Sequence, residues 1–469
     1  MSSFPRLRVS ATSLQPQGAF AEAQAMYLQP DPAAVRDLDQ LLIDNNIGIV
    51  AHFYMDVELQ GVLSSCSHRH IQIADSLLMA DHAVNMAKDG VDKIIVLGVD
   101  FMSENVRAVL DEAGHNEVHV YRADPREIGC SLAESAEALV YGTWLQKASK
   151  TANSIHVIYI NTSLEVKARS HNIVPTITCT SSNVVQTILQ ADSQIEDLHV
   201  WYGPDTYMGA NLEEMFQQFT KMTDDEIANI HPAHNRETIN GLLNRFEYFR
   251  QGNCIVHHMF GESVVQKVRE EYPEAFHTAH LEVPGEMFAL AVEAQRKGRG
   301  VVGSTSNILN FIAAQVNEAV LSEEGTTLSF VLGTEAGMVT SIVRKVQGLL
   351  RKHGRDDVNV DIIFPVASEA VAEDETFGII PGVAGGEGCS TAGGCATCPY
   401  MKMNSLESLF EVVDGLKKNV DLQAYEPKKY SDTINDRTIA SLGGEPILFM
   451  RHFQSNGKMS PKLIKQVQA

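Results

Sequence analysis

The chain runs to 469 residues, 44% of them hydrophobic and 20% charged, with a net charge of −22. That length predicts roughly three domains with ample core, and no apolar run reaches the roughly 18 residues a membrane-spanning helix needs. The acidic excess argues against a nucleic-acid partner, whose phosphates require a basic face, and leaves any anionic substrate to be held by local dipoles, amides and metal.

Residues 1–30 read as a loose leader; the first 21 hold Arg6, Arg8, several serines and no acid, a pattern only faintly like a transit peptide. From Asp31 onward, Val35, Leu38, Leu41 and Leu42 fall at helical spacing. A unit then recurs: a short β-branched run, a polar or glycine-rich corner, and a helix. The corners are Ile49-Val-Ala-His-Phe-Tyr, Ile94-Ile-Val-Leu-Gly-Val-Asp, Val157-Ile-Tyr-Ile-Asn-Thr-Ser and Ile177-Thr-Cys-Thr-Ser-Ser-Asn. They continue with His199-Val-Trp-Tyr-Gly-Pro-Asp, Cys254-Ile-Val-His-His, Val301-Val-Gly-Ser-Thr-Ser-Asn and Phe330-Val-Leu-Gly-Thr-Glu. Runs apolar on both faces and alternating with helices predict parallel strands in α/β layers, with ligands beyond the carboxyl ends of the strands. Residues 206–250 read as a helical excursion and 366–394 as a glycine-rich loop; Pro446-Ile-Leu-Phe-Met suggests a late strand.

The seven cysteines (Cys66, Cys130, Cys179, Cys254, Cys389, Cys395 and Cys398) are an odd number with no secretory signal, which points to a reducing compartment. Cys130, Cys254 and Cys398 each sit at the mouth of a strand–turn–helix segment, too far apart for a local zinc knuckle. Three such thiolates can hold three corners of an iron–sulfur cluster and leave the fourth iron open, as a catalytic site requires. Buried core thiols are the plainer alternative. Cys395-Ala-Thr-Cys398 could be a redox dithiol, half of a zinc site, or one cluster ligand with a thiol left over; the Pro399 that follows favours the last. The three cysteines divide the chain into a first α/β unit at 31–129, completed by 399–469, a second at 130–253 and a third at 254–398.

Between the cysteines, polar groups gather at the predicted strand ends. His52 and Tyr54 share strand spacing, as do Tyr159 with Asn161 and His280 with Glu282; packing alone would also explain each pair. Asp75 or Ser76 opens a helix and reads as an N-cap or as a carboxylate cradle. Thr180-Ser-Ser-Asn, which contains Ser181, and Ser304-Thr-Ser-Asn, which contains Thr305, are hydroxyl-rich turns that both open helices. His257 follows Cys254 by three residues. No GxGxxG or GxxxxGK[ST] stands in the right context, which argues against a dinucleotide dehydrogenase or a P-loop ATPase.

Together these motifs resemble the quinolinate synthase family, in its long, plant-type branch. The resemblance rests on His52-Phe-Tyr, Ala74-Asp-Ser, Gly98-Val-Asp-Phe-Met-Ser-Glu, Gly129-Cys-Ser-Leu-Ala and Tyr159-Ile-Asn-Thr-Ser. It extends through Thr180-Ser-Ser-Asn, Cys254-Ile-Val-His, His280-Leu-Glu, Gly303-Ser-Thr-Ser, Gly333-Thr-Glu and Cys398-Pro-Tyr-Met-Lys-Met-Asn. It implies an α/β fold of three similar three-layer α/β/α units with parallel sheets, in pseudo-threefold arrangement around a central cavity. It also implies a [4Fe–4S] cluster on Cys130, Cys254 and Cys398, and condensation of iminoaspartate with dihydroxyacetone phosphate to quinolinate, with loss of phosphate and water, in NAD biosynthesis. Substrate binding then falls on His52, Ser76, Tyr159, Asn161, Ser181, His280, Glu282 and Thr305, with Tyr54 and His257 close by. Two departures stand out: Leu281 replaces a proline usual in compact bacterial members, and the Cys389–Cys395 spacing differs from their cysteine triplet. Plant members carry a sulfur-transfer-stimulating domain ahead of the synthase portion; its lack here suggests a bacterial or algal source.

The chemistry suits these residues. Dehydration beside a carbonyl or imine develops oxyanion charge, and an open iron acting as Lewis acid is worth several kcal/mol of stabilisation. Glu282 is the leading candidate for the base, with Tyr159, Tyr54 and His257 relaying protons. The expected partners are an L-aspartate oxidase or dehydrogenase that supplies iminoaspartate, and the iron–sulfur assembly machinery. The expected location is cytoplasmic, with the plastid as alternative. The competing readings are another iron–sulfur hydro-lyase acting on a small hydroxy acid and a cluster-carrying sensor.

Overall fold

The computed structural model describes residues 3–252, 254, 256–257, 260–365, 398 and 400–469. The glycine-rich stretch 366–394, Cys389 and Cys395 lie outside them. The leader expected to be loose forms two strands instead, β1 (Arg6–Val9) and β2 (Leu14–Gln17), followed by a helix at Ala19–Tyr27. The reason is burial and charge: Leu7 and Val9 are fully buried, and Arg8 makes a two-pronged ion pair with Asp361 at 2.7 and 2.9 Å.

The remaining large strands fall into three parallel sets with one shared order. The first set is β3 (Ile47–His52), β4 (Ile71–Ala74), β5 (Lys93–Leu97) and β6 (His119–Arg122). The second is β7 (Ser154–Tyr159), β8 (Thr176–Cys179), β9 (His199–Gly203) and β10 (Phe246–Tyr248). The third is β11 (Phe276–His280), β12 (Gly300–Gly303), β13 (Thr326–Gly333) and β14 (Val358–Ile363). In each the strand that comes second in sequence lies at the edge beside the first, then come the third and fourth: β4-β3-β5-β6, β8-β7-β9-β10 and β12-β11-β13-β14. Only the third set is extended, by β1 antiparallel to β14 and then β2 antiparallel to β1. Every residue of β3 and β7 is buried, as expected for strands covered on both faces by helices.

The chain forms two compact units. One comprises Met1–Gly98, Val118–Ile128 and Ile255–Glu426 and contains the first and third sheets; the other comprises Val99–Glu117, Gly129–Cys254 and Pro427–Ala469 and contains the second. The segment after Cys398 therefore divides, with helix Leu406–Lys418 in the first unit and helix Ile439–Asn456 in the second. The core of the first unit joins Leu7, Val9, Ile308, Ile312, Phe330, Val360 and Ile362. Each such side chain contributes about 1.5–3 kcal/mol on burial. In the second unit Tyr141, Trp144, Trp201 and Phe249 form an aromatic nest, with the Tyr141 and Phe249 rings edge-on at 4.8 Å. No described helix is long and apolar enough to cross a membrane.

Two expectations need correction. Pro446-Ile-Leu-Phe-Met is not a strand but the middle of helix Ile439–Asn456. Read over the longer window, Ile439, Leu442, Pro446, Phe449, Met450 and Phe453 recur at helical spacing and are all buried. The 206–250 excursion is helical at Thr206–Phe219, Asp224–Ile230 and Arg236–Leu243, but it ends in β10, where Phe246 to Tyr248 pair in parallel with β9.

Candidate functional site

The predicted site residues occupy equivalent places in the three sheets. His52, Tyr159 and His280 are the last residues of β3, β7 and β11, the first strand of each set. Each is paired across to the last residue of the adjacent edge strand: His52 with Ala74, Tyr159 with Cys179 and His280 with Gly303. Ser76, Ser181 and Thr305 each lie two residues beyond those partners. Each sheet thus offers one ring and one hydroxyl on neighbouring strand ends. The cysteines keep the same rhythm along the chain, since Cys130, Cys254 and Cys398 follow the fourth strand of each set in turn.

One expectation about these pairs changes. Tyr54, Asn161 and Glu282 do not continue their strands; the strands end at His52, Tyr159 and His280, and the second polar residue sits in the turn beyond. In the first unit this turn folds the partner back. The Tyr54 N–H donates to His52 Nδ1 at 3.2 Å, and the two rings meet edge-on at 4.9 Å. The Glu282 N–H likewise donates to His280 Nδ1 at 3.4 Å. Both imidazoles therefore accept at Nδ1 and carry their proton on Nε2.

His257 stacks on His280 with centroids 5.0 Å apart and planes 7° from parallel, and its Nδ1 lies 3.1 Å from a Glu282 oxygen. Burial holds His52 and His280 neutral. The His52 pKa is pushed down to about 3, with Glu282 opposing the shift and His280 adding to it, and His280 is pushed down to about 4. Tyr54 Oη is 3.2 Å from Thr334 Oγ1. His52, His257, His280 and Glu282 thus form one buried polar cluster in the first unit, with the half-buried Tyr54 at its side. His257 and Glu282 place a nitrogen and an oxygen donor side by side in the first unit, a pairing suited to a metal.

Helix starts complete the corners. Asp75, not Ser76, caps helix Ser76–Lys88 by accepting from the N–H groups of Leu77 and Leu78. The two hydroxyl turns are built alike: Asn183 Oδ1 accepts the Thr180 N–H at 2.8 Å, and Asn307 Oδ1 accepts the Ser304 N–H at 2.9 Å. Ser304 caps helix Thr305–Leu321 in a reciprocal capping box with Asn307.

Sequence reading gave no role to three residues that hold this architecture. Glu335 is buried and accepts the Cys398 N–H. Its carboxyl is raised well above the usual range by burial, against the pull of that N–H and of Lys402. Asn404 brackets the same segment by exchanging two bonds with the backbone of Gly98, at 3.3 and 3.0 Å. Lys167 is buried beneath the Tyr159–Asn161 turn. An acid closing an apolar run, as in Phe330-Val-Leu-Gly-Thr-Glu, was the available signal for Glu335; Lys167 gave none.

Cysteines hold a cluster only if their segments meet. In the second unit the backbone before Cys254 packs tightly on the helix that follows Cys130. A Cβ at Gly252 would stand 2.8 Å from Ser135 Oγ and 2.2 Å from the Pro204 carbonyl oxygen. Thr206 exchanges hydrogen bonds with Gly252 in both directions, at 2.7 and 2.9 Å. Cys130, Cys254 and Cys398 are all half-buried.

The family model for quinolinate synthetase A protein matches residues 36–356. The chain is 55% identical to a chloroplastic quinolinate synthase of Nicotiana tabacum, over 99% of this chain and 67% of that protein. It is 53% identical to the chloroplastic quinolinate synthase of Arabidopsis thaliana, over 99% and 67% respectively. It is 26% identical to the quinolinate synthase of Prochlorococcus marinus, over 86% of this chain and 91% of that one. The chain spans about two thirds of the length of those plant relatives.

Proposed function

The chain belongs to the quinolinate synthetase A protein family, and from that membership we propose that it condenses iminoaspartate with dihydroxyacetone phosphate to quinolinate, with a [4Fe–4S] cluster held by Cys130, Cys254 and Cys398. The observation that carries the reading is the repeated corner: a ring and a hydroxyl on adjacent strand ends in each of three sheets of identical strand order, with a cysteine following each fourth strand.

Bound there, the cluster would supply an open Lewis-acid iron toward a hydroxyl or carbonyl oxygen. The chain's own groups do the rest. His52 and His280, neutral and donating from Nε2, are set to hold carboxylate oxygens without adding charge to a buried site. The hydroxyls of Ser76, Ser181 and Thr305, on the amino ends of helices, suit the remaining carboxylate and the phosphate. Glu282, against the stacked His257 and His280, is the group we assign to proton removal, with Tyr54 and Tyr159 as relays. Burial of His52, His257, His280 and Glu282 keeps bulk water from these groups and strengthens each of their contacts.

The chloroplastic relatives support the plastid alternative and count against the cytoplasmic expectation. An L-aspartate oxidase or dehydrogenase as the source of iminoaspartate, and the iron–sulfur assembly machinery, remain proposed partners. Iron stoichiometry tests the ligand set. Protein purified without oxygen should carry about four irons per chain. Cys130→Ala, Cys254→Ala and Cys398→Ala should each lose most of that iron, while Cys395→Ala keeps it. Equal loss from Cys395→Ala would overturn the three-ligand assignment.

A further inference from the structure

Lys167 has no exposed surface, on helix Leu164–Ile173 of the second unit. Its ammonium donates to the carbonyl oxygens of Ile160, at 3.0 Å, and of Thr162, and to Asn105 Oδ1 at 3.3 Å. Those two carbonyls flank Asn161 on either side. The buried partner of opposite charge is Glu104, on helix Asp100–Glu112. Glu104 accepts the Leu164 N–H at 2.9 Å and the Tyr430 hydroxyl at 3.0 Å. The Thr162 hydroxyl donates to the Tyr159 carbonyl at 3.1 Å, and Ser163 caps the helix that follows. The turn that presents Tyr159 and Asn161 is thus pinned at the carbonyls of Tyr159, Ile160 and Thr162 and at the amide of Leu164.

Burying a lysine ammonium near a buried carboxylate is a poor way to gain stability. Desolvation costs several kcal/mol per ion, and well-packed apolar replacements are often as stable or more so. What a buried ammonium with three acceptors supplies is direction, because it fixes where those acceptors point. An ordinary turn of this kind would leave its carbonyls to water and fluctuate.

We propose that Lys167, paired with Glu104, is a positioning residue for substrate: by tying the carbonyls on both sides of Asn161 it fixes the angle at which Tyr159 and Asn161 meet the substrate carboxylates. The proposal rests on the assignment of Tyr159 and Asn161 to substrate binding. Neither Lys167 nor Glu104 touches substrate in this scheme.

The test uses the full chain loaded anaerobically with iron and sulfide, and quinolinate itself as the calorimetric probe, well below the melting temperature. Lys167→Met should keep wild-type iron, bind quinolinate at least about tenfold more weakly and raise KM more than it lowers kcat. Should Lys167→Met fail to fold, Glu104→Gln carries the test, because it retains an acceptor for the Leu164 N–H; it too should weaken binding. Tyr430→Phe, which removes only the far hydrogen bond to Glu104, should lower the melting temperature and leave quinolinate binding within twofold. Asn161→Ala separates the two claims. If it weakens binding while the Lys167 and Glu104 variants bind normally, positioning is wrong and the substrate site stands. If Asn161→Ala binds normally, the substrate assignment fails and the proposal falls with it. Equal weakening by Tyr430→Phe would reduce the effect to general loosening and also overturn the proposal.

Discussion

Glu282 lies beside two stacked imidazoles, 3.1 Å from His257 and 3.6 Å from His280. Glu282→Gln preserves the shape and removes the basic oxygen. It should leave iron content unchanged and lower quinolinate formation by roughly 10²-fold or more in steady-state assays; near-normal turnover would remove Glu282 from the chemistry. Cys66 marks the opposite case. Burial pushes its thiol up to about 12, and it donates to the carbonyls of Val62 and Val35, so Cys66→Ala should keep full iron by colorimetric assay. Residues of the first kind were legible in the sequence because a histidine, tyrosine or serine interrupts an apolar run where a strand must end. Lys167 was not, and Glu335 showed only as an acid closing an apolar run. Their meaning depends on Glu104 and Cys398, each about sixty residues away in the chain, and no local pattern separates a buried lysine on a helix from a solvated one.

At the scale of elements, close backbone approaches decide what can change. Gly443 lets helix Ile439–Asn456 lie against helix Leu164–Ile173; a Cβ there would sit 2.2 Å from the Leu164 carbonyl oxygen, which already belongs to the pinned turn. Gly443→Ala should cost about 1–3 kcal/mol in urea unfolding, as overpacking does. Gly252→Ala, which meets Pro204 and Ser135, should in addition reduce iron content, because it spreads the segments of Cys130 and Cys254. The alternation of strands and helices was readable from period and length, and so was the parallel character of the sheets. Errors arose where a short window misled. Pro446 to Met450 looks like a strand until the buried positions from Ile439 to Phe453 are counted together, and Phe246 looks like a helix residue until it is seen to complete the second sheet. The sheet-forming role of Arg6–Val9 has no local sequence signal because it depends on Asp361, far along the chain.

For the whole molecule, buried neutral histidines predict a pH limit. His156, bonded to the Tyr141 hydroxyl at 2.8 Å, is pushed down to about 3 by burial, with His171 adding to the shift. The unfolded chain takes up a proton near pH 6.5 while the folded chain does not. Stability is therefore full above about pH 6.5 and falls as pH drops toward 3, by about 2 kcal/mol between pH 6.5 and 5 for this one group. Both tryptophans of the chain, Trp144 and Trp201, lie in the nest beside His156, so their fluorescence reports unfolding of this unit. The urea midpoint should fall between pH 7 and pH 5, and His156→Gln should flatten that slope.

The most direct measurement at this scale is product formation. The full chain, loaded with about four irons under anaerobic conditions and mixed with iminoaspartate and dihydroxyacetone phosphate, should release quinolinate and one phosphate per turnover. The Cys254→Ala protein should release neither. Iron-replete protein that forms no quinolinate, or a Cys254→Ala variant that forms it at the wild-type rate, would contradict the function assigned to these strand-end corners.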